Sequence, residues 1–267
     1  MSPINYLLHI IETMRRREKF IIIALFLGLC LWLVQFIPIA WRSWAIFAFG
    51  LLTYLASALA LSANLNARIW ITYLTLPALH SIVIGFFYFL LPTNFWSLII
   101  VLGFFSFSIY ALFLTGNILA PREKKIQLSR AAQNTTLFFT TMSSLLSTQV
   151  IFSFNLPFYL APLLAFFIHF FLLYTIIWSI DPNEKINFAN ILLAFFSAIL
   201  IAEITLTLAF LPIAPWHLAL LSMASFYLIA CVLTTYLSEK FFQREIAEYL
   251  LLTIFILLMF GFFFPGK

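Results

Sequence analysis

The segment RRREKFIIIALFLGLCLWLVQFI, residues 15–37, joins four basic side chains to a run of 18 residues without a charge. About 20 apolar residues in an α-helix are long enough to cross the roughly 30 Å hydrocarbon core of a bilayer. Basic residues beside such a run mark its cytoplasmic end. The segment therefore predicts a transmembrane helix that starts in the cytoplasm.

The rest of the chain repeats this pattern. Of its 267 residues, 64% are apolar and 9% are charged, whereas soluble domains carry about 25% charged residues. We therefore expect the lipid bilayer to be its main partner. Nine spans are predicted: Phe20–Ile37, Ala45–Ala63, Ile69–Leu91, Phe95–Leu114, Thr135–Phe154, Pro157–Trp178, Phe188–Leu211, Trp216–Leu237 and Ile246–Phe264.

The residues before the first span predict a different kind of helix. Ile4, Leu7 and Ile11 recur at helical spacing opposite polar positions, a pattern typical of a helix that lies in the membrane interface. We expect residues 1–19 to form this cytoplasmic amphipathic helix and its basic anchor, and residues 20–267 to form one transmembrane domain. The predicted fold is all-α: a polytopic bundle of about nine spans.

The basic residues predict how the bundle is oriented. With the amino terminus in the cytoplasm, only Arg42 and Lys267 of the 14 basic residues fall outside, as the positive-inside rule requires. We expect a multi-pass protein of a prokaryotic plasma membrane with its carboxyl terminus outside. The basic residues flank apolar spans and accompany no aromatic-interleaved groove, so no nucleic-acid partner is expected.

Two short segments resemble each other. IPIAW at residues 37–41 nearly matches LPIAPW at residues 211–216, which suggests two four-helix halves followed by a ninth helix, a repeat of the kind that some transporters use. Shared turn chemistry explains the match more simply, because proline is common in turns.

Glu203 is the acidic residue that lies well inside a predicted span. Placing an acidic side chain there costs about 2 to 4 kcal/mol, so such a group is a functional candidate. Thr207 follows one helical turn later and can offer a hydroxyl group. The pair predicts a proton or ligand site, and the structural alternative is a neutral carboxylic acid that fixes helix packing.

Two histidines have a predicted depth near that of Glu203. His80 in the third span and His169 in the sixth fall near the middle of the membrane, so both are added to the candidate site. The alternative is that each imidazole bonds a neighbouring helix, as polar residues commonly do in bundles. The residues come from separate helices and form no local metal-binding motif, so no metal is predicted.

Hydroxyl side chains cover one side of the fifth predicted span. At 100° per residue they share a face opposite Phe138, Phe139 and Met142, which fits a hydrated cavity or a close helix contact. The predicted lining residues are Thr136, Thr140, Ser143, Ser144 and Ser147. On the seventh span, Ala194, Ala198 and Ala202 form a ridge of small residues nearly opposite Glu203, so we expect that helix to be buried all round.

The chain has only seven glycines and lacks a nucleotide-binding loop, a nucleophile elbow and paired catalytic carboxylates, so neither a cofactor nor a catalytic residue is predicted. Three functions remain open. The first is a small transporter-like protein with a polar cavity around Glu203. The second is a non-catalytic scaffold or complex subunit that binds another membrane protein. The third, ranked last, is an intramembrane enzyme that acts on a lipid-linked substrate.

Overall fold

The computed structural model describes residues 16–61, 70–92, 94–119, 126–180, 182 and 188–238, together with 251, 253–255, 258 and 261. These residues contain long α-helices and no strand. The helices are α1 (Arg16–Val34), α2 (Ile39–Leu61), α3 (Trp70–Tyr88), α4 (Phe95–Leu119), α5 (Ile126–Ser153), α6 (Leu160–Ile180), α7 (Phe188–Ala209) and α8 (Pro215–Leu237). The amphipathic helix predicted before α1 lies outside the described residues.

Five of these helices are long and apolar enough to cross a membrane: α2, α4, α6, α7 and α8. Large apolar side chains such as Leu51 and Phe196 are exposed on the surface of the bundle, where lipid can cover them. The protein is therefore an all-helical, membrane-embedded chain. The count of nine spans stays a prediction.

Helices α2 and α5 begin well before the spans predicted for them. Helix α2 begins at Ile39 and contains Arg42, whose Nε donates to the carbonyl of Ile37 at 3.0 Å. The Arg42 guanidinium also lies 4.8 Å from the centre of the Phe89 ring, a favourable cation–π position. Helix α5 begins at Ile126, because its polar first residues are good helix formers although they end the apolar run.

The eight helices form two halves with the same neighbour relationships. In the first half, α1 packs against α2 and α4, α3 packs against α2 and α4, and α2 touches α4. In the second half, α5 to α8 repeat each of these relationships in the same order. The halves meet where α5 packs against α3 and α4 and where α6 packs against α3.

Buried positions also recur about 120 residues apart, as expected of an internal repeat. Phe20 and Leu27 of α1 correspond to Phe139 and Leu146 of α5, and all four are buried. The buried positions of α4 include Val101, Phe105, Ile109 and Leu112. Those of α8 include Ser222, Phe226, Ala230 and Leu233, which have the same spacing.

The turns before corresponding helices are also about 120 residues apart. This spacing corrects the pairing of IPIAW with LPIAPW that was drawn from the sequence. IPIAW precedes α2, whose counterpart is α6, whereas LPIAPW precedes α8, whose counterpart is α4. The true counterpart of LPIAPW is therefore LPTNFW at residues 91–96, and Pro38 corresponds to Pro157. The helix contacts divide α1 to α8 into two groups of four, but the segments that hold matching places in them differ from the pair that the sequence suggested.

Candidate functional site

Helix α5 is the central element of the bundle and carries the predicted hydroxyl face inward. Thr136, Thr140, Ser143 and Ser144 are 0% exposed, and Ser147 is 2% exposed. Most of these hydroxyls donate to a carbonyl of the preceding turn, as Thr140 does to Thr136 at 2.9 Å. A hydroxyl that bonds its own backbone leaves no polar group to solvate, so neighbouring helices can pack directly against it.

His80 lies where α3 meets α4 and α5. Its Nε2 is 2.9 Å from Ser108 Oγ on α4, and its Nδ1 is 2.8 Å from Ser143 Oγ on α5. The imidazole is fully buried and is flanked by the rings of Phe104 and Phe139, with centroids 6.4 and 5.7 Å away. One hydrogen bond therefore stays within the first half, and the other crosses to the second half.

The hydrogen-bond partners of His80 are compatible with more than one protonation state of its ring. Ser108 Oγ is 2.8 Å from the carbonyl of Phe105, and Ser143 Oγ is 2.7 Å from the carbonyl of Phe139. Each serine can therefore donate either to His80 or to its own helix. Both neutral tautomers of His80 and the doubly protonated ring can all form two hydrogen bonds here. The hydrogen bonds therefore do not fix one tautomer of His80.

His169 has a more restricted environment on α6. Its Nδ1 lies 2.7 Å from the carbonyl of Ala165, which can only accept, so this nitrogen carries the proton. Its Nε2 lies 2.9 Å from Ser144 Oγ and accepts from that hydroxyl in the neutral ring. The ring is fully buried and packs against Phe226. These bonds fix one neutral tautomer of His169, and the bond to Ser144 links α6 to α5.

Glu203 and Thr207 lie away from both histidines, on the exposed surface of α7. The hydroxyl of Thr207 donates to the backbone carbonyl of Glu203 at 2.9 Å. Helix α7 is thus not buried all round, which corrects the expectation drawn from its small residues. Ala194 and Ala198 do pack inside, but the narrow ridge that they form covers one side of the helix only.

The structure therefore separates the four predicted site residues. His80 and His169 both bond α5, through the consecutive residues Ser143 and Ser144, whereas Glu203 and Thr207 take no part in this network. Ser108 was missed by the sequence analysis. A single serine in an apolar helix is common, so only its position opposite His80 distinguishes it.

Several grooves, among them the following three, open on the surface of the described helices. One of about 650 Å³ lies between α1 and α4 beside Gly28, Gly103 and Ser106. Another of about 520 Å³ lies between α5 and α8 beside Thr141. A smaller one of about 190 Å³ lies among the ends of α5, α6 and α8, beside Gln133. His80, Glu203 and the five predicted lining residues of α5 border none of these three.

Comparison with protein-family models, with curated proteins and with solved structures finds no match to this chain. Within the described ranges, no three His, Cys, Asp or Glu side chains lie close enough together to hold a metal ion. The features that bear on function are therefore the hydrogen bonds of His80 and the arrangement of the two halves.

Proposed function

We propose that this membrane-embedded protein is a small proton-coupled transporter with nine spans, whose site lies between its two four-helix halves. The observation that carries the proposal is that His80 bonds Ser108 in its own half and Ser143 in the other. In transporters built from repeats, substrate and coupling-ion sites lie near the membrane midplane at the interface between the repeats. His80 lies between the two halves, and the sequence predicts a depth near the midplane for it.

The matching helix contacts of the two halves support this reading. Because each half contains four helices, both halves would enter the membrane from the same side, which makes them a parallel repeat. Transporters of this kind work by rocking one half against the other around a fixed site. Here the rocking would separate α3 and α4 from α5 and would break the bond between His80 and Ser143.

His80 supplies the proton chemistry in this proposal. When the halves part, the imidazole loses Ser143 but keeps Ser108, so one ring nitrogen becomes free to exchange a proton with water or with a substrate. When the halves close, Ser143 Oγ either accepts a hydrogen bond from a protonated ring nitrogen of His80 or donates one to an unprotonated ring nitrogen. In this scheme His169 positions α6 and does not exchange protons, and Glu203 lies outside the pathway.

Transport by reconstituted protein tests the proposal. Liposomes containing the purified protein are given a pH gradient and a mixture of small polar metabolites, and the lumen is then assayed by mass spectrometry. Wild type should accumulate at least one solute beyond protein-free liposomes, and His80→Asn should lose that accumulation. Glu203→Gln is the matched control and should retain it.

Two results would contradict the proposal. Accumulation by wild type that equals the protein-free background would remove the transport function. Accumulation that survives His80→Asn but is lost in Glu203→Gln would move the site to α7, as the sequence analysis predicted.

A scaffold or complex subunit is the second candidate function. It is favoured by the acidic side chain of Glu203 on an exposed face of α7 that is apolar apart from Glu203 and Thr207, since polar groups in membranes usually meet a partner. Under this alternative, His80→Asn lowers the yield of folded protein and changes no flux. Recovering the chain from its membrane without any other protein after mild crosslinking would count against it.

A further inference from the structure

Arg42 lies on the inward side of α2, in the first turn of the helix. It precedes the buried residues Ile46 and Phe49 by four and seven positions, so the three side chains share one face of the helix. The neighbouring Trp41 and Trp44 are exposed, whereas Arg42 is half-buried. The Arg42 side chain is therefore directed toward the bundle and away from the surface that lipid covers.

Two contacts fix the guanidinium group of Arg42. Its Nε donates to the carbonyl of Ile37, and its Cζ lies over the ring of Phe89. The two terminal nitrogens keep the remaining N–H donors of the group. No hydrogen bond or ion pair to these nitrogens occurs within the described residues. A planar pair of such nitrogens matches the two oxygens of a carboxylate or phosphate group.

The connections at this end of the bundle offer Arg42 no carboxylate. They are residues 35–38, 89–94, 154–159 and 210–214, and the structure describes all of them except Thr93. None of them contains Asp or Glu. In the described helices, Glu18 lies at the opposite end, in the first turn of α1, and Glu203 is exposed on α7. The described part of the chain therefore supplies no oxyanion for Arg42.

Arg42 also lies beside the contact between the two halves. Phe89, the ring beneath its guanidinium, follows Phe86 by three residues and donates its N–H to the Phe86 carbonyl at 3.2 Å. The Phe86 ring contacts Phe154 of the other half. His80 precedes Phe86 by six residues on α3, which is about 9 Å along the helix axis. Arg42 thus lies at one end of the contact that contains His80.

We propose that Arg42 binds a small anionic solute, through its carboxylate or phosphate group, at the entrance to the His80 site. The fate of the bound solute rests on the transport function proposed above, but binding at Arg42 can be measured without transport. The surroundings of His80 favour the same class of solute. A protonated imidazole among phenylalanine rings is costly unless an anion pairs with it, and the partners Ser108 and Ser143 carry no charge. An anionic solute compensates the charge of the proton that His80 carries.

Titration calorimetry in a maltoside detergent, which contains no phosphate, measures the binding directly. Acetate and inorganic phosphate are the probes, and wild type should bind at least one of them. Arg42→Gln should weaken this binding about tenfold or more, because it removes charge-assisted hydrogen bonds. Arg42→Lys keeps the charge without the paired donors, so its affinity should be intermediate. Arg130→Gln, at an exposed arginine of α5, is the matched control and should bind like wild type.

A short-chain phosphatidylglycerol, added to the same detergent solution, distinguishes a lipid head group from a soluble anion. If this lipid binds in a manner that depends on Arg42 while acetate and phosphate do not bind, the proposal is overturned. Folded wild type that binds neither probe, or binding that is unchanged in Arg42→Gln, would also overturn it. Should Arg42→Gln fail to fold, Arg42→Lys decides, because unchanged affinity there would exclude the paired hydrogen bonds.

Accumulation in liposomes separates this proposal from the transport function. The solutes that accumulate in a His80-dependent way should be anionic, and Arg42→Gln should lower their uptake while Arg130→Gln should not. Wild type that accumulates only neutral or cationic solutes would contradict the anion proposal and leave transport intact. Probes that bind at Arg42 without any solute accumulating would support the anion site and contradict transport.

Discussion

His80 Nδ1 and Ser143 Oγ are joined by a 2.8 Å hydrogen bond that links the two halves of the bundle. This bond connects a buried imidazole of α3 to the central helix α5, in surroundings of phenylalanine rings. Because a buried polar group that loses its partner is costly, the bond couples the state of His80 to the contact between the halves.

Removing the hydroxyl of Ser143 should destabilise the protein. In Ser143→Ala one ring nitrogen of His80 stays buried without a partner, which costs about 1–3 kcal/mol. The free energy of unfolding, measured in a lipid-containing bicelle, should fall by this amount. Ser147→Ala is the matched control on the same helix, because the Ser147 hydroxyl bonds only the carbonyl of Ser144. Equal losses in the two variants would show that His80 does not depend on Ser143.

The contact between α3 and α4 depends on a glycine. A Cβ added at Gly116 would overlap the ring of Tyr73, whose hydroxyl donates to the carbonyl of Leu112. Gly116→Ala should therefore force the helices apart and lower the free energy of unfolding by about 1–3 kcal/mol. At Gly103 an added Cβ would meet no atom within 4 Å, so Gly103→Ala should leave stability unchanged or raise it. The opposite ranking of the two variants would contradict this packing.

The two histidines should respond differently to substitution. His169→Leu removes the bonds to Ala165 and Ser144, so we expect a loss of about 1–3 kcal/mol in the free energy of unfolding. Solute accumulation per folded molecule should nevertheless persist, since His169 only positions α6. His80→Asn should abolish accumulation even where the protein is folded. A His169→Leu variant that folds fully and transports nothing would contradict this assignment, because it would place the proton chemistry on His169.

The nine-span topology predicts where the chain ends. A reporter enzyme that is active only in the cytoplasm should be inactive when fused after Lys267, and one that is active only outside should work there. The same pair of reporters fused after Ile180, at the end of α6, should give the opposite result. Cytoplasmic activity after Lys267 would mean an even number of spans.

The sequence predicted the helices far better than it predicted their faces. Apolar runs and flanking charges are local features, so the order of α1 to α8 could be predicted directly. The orientation of a membrane helix is not local, because apolar side chains meet lipid and protein equally well. For this reason Glu203 was expected inside, although α7 turns that position outward and buries Ala194 and Ala198 instead.

The histidines illustrate the same limit at the site. The hydroxyl face of α5 was visible from its spacing, whereas the depth of both histidines in the membrane stays a prediction. The pairing of His80 with Ser108 could not be predicted, because it depends on how α3 crosses α4. A short sequence match suggested two halves, but which helices hold matching places in them emerges only from the helix contacts.

Crosslinking within and between the halves tests the central claim most directly. The ring centroid of Phe86 on α3 lies 5.7 Å from that of Phe47 on α2, in the same half. It lies 6.1 Å from the ring centroid of Phe154, just beyond α5 in the other half. With Cys30 and Cys231 replaced by alanine, a short bifunctional thiol reagent can join Phe86→Cys to either Phe47→Cys or Phe154→Cys. If the halves rock about the His80 site, a crosslink between Phe86→Cys and Phe154→Cys should stop solute accumulation. A crosslink between Phe86→Cys and Phe47→Cys should leave it intact. Accumulation that continues with the two halves joined would contradict the account.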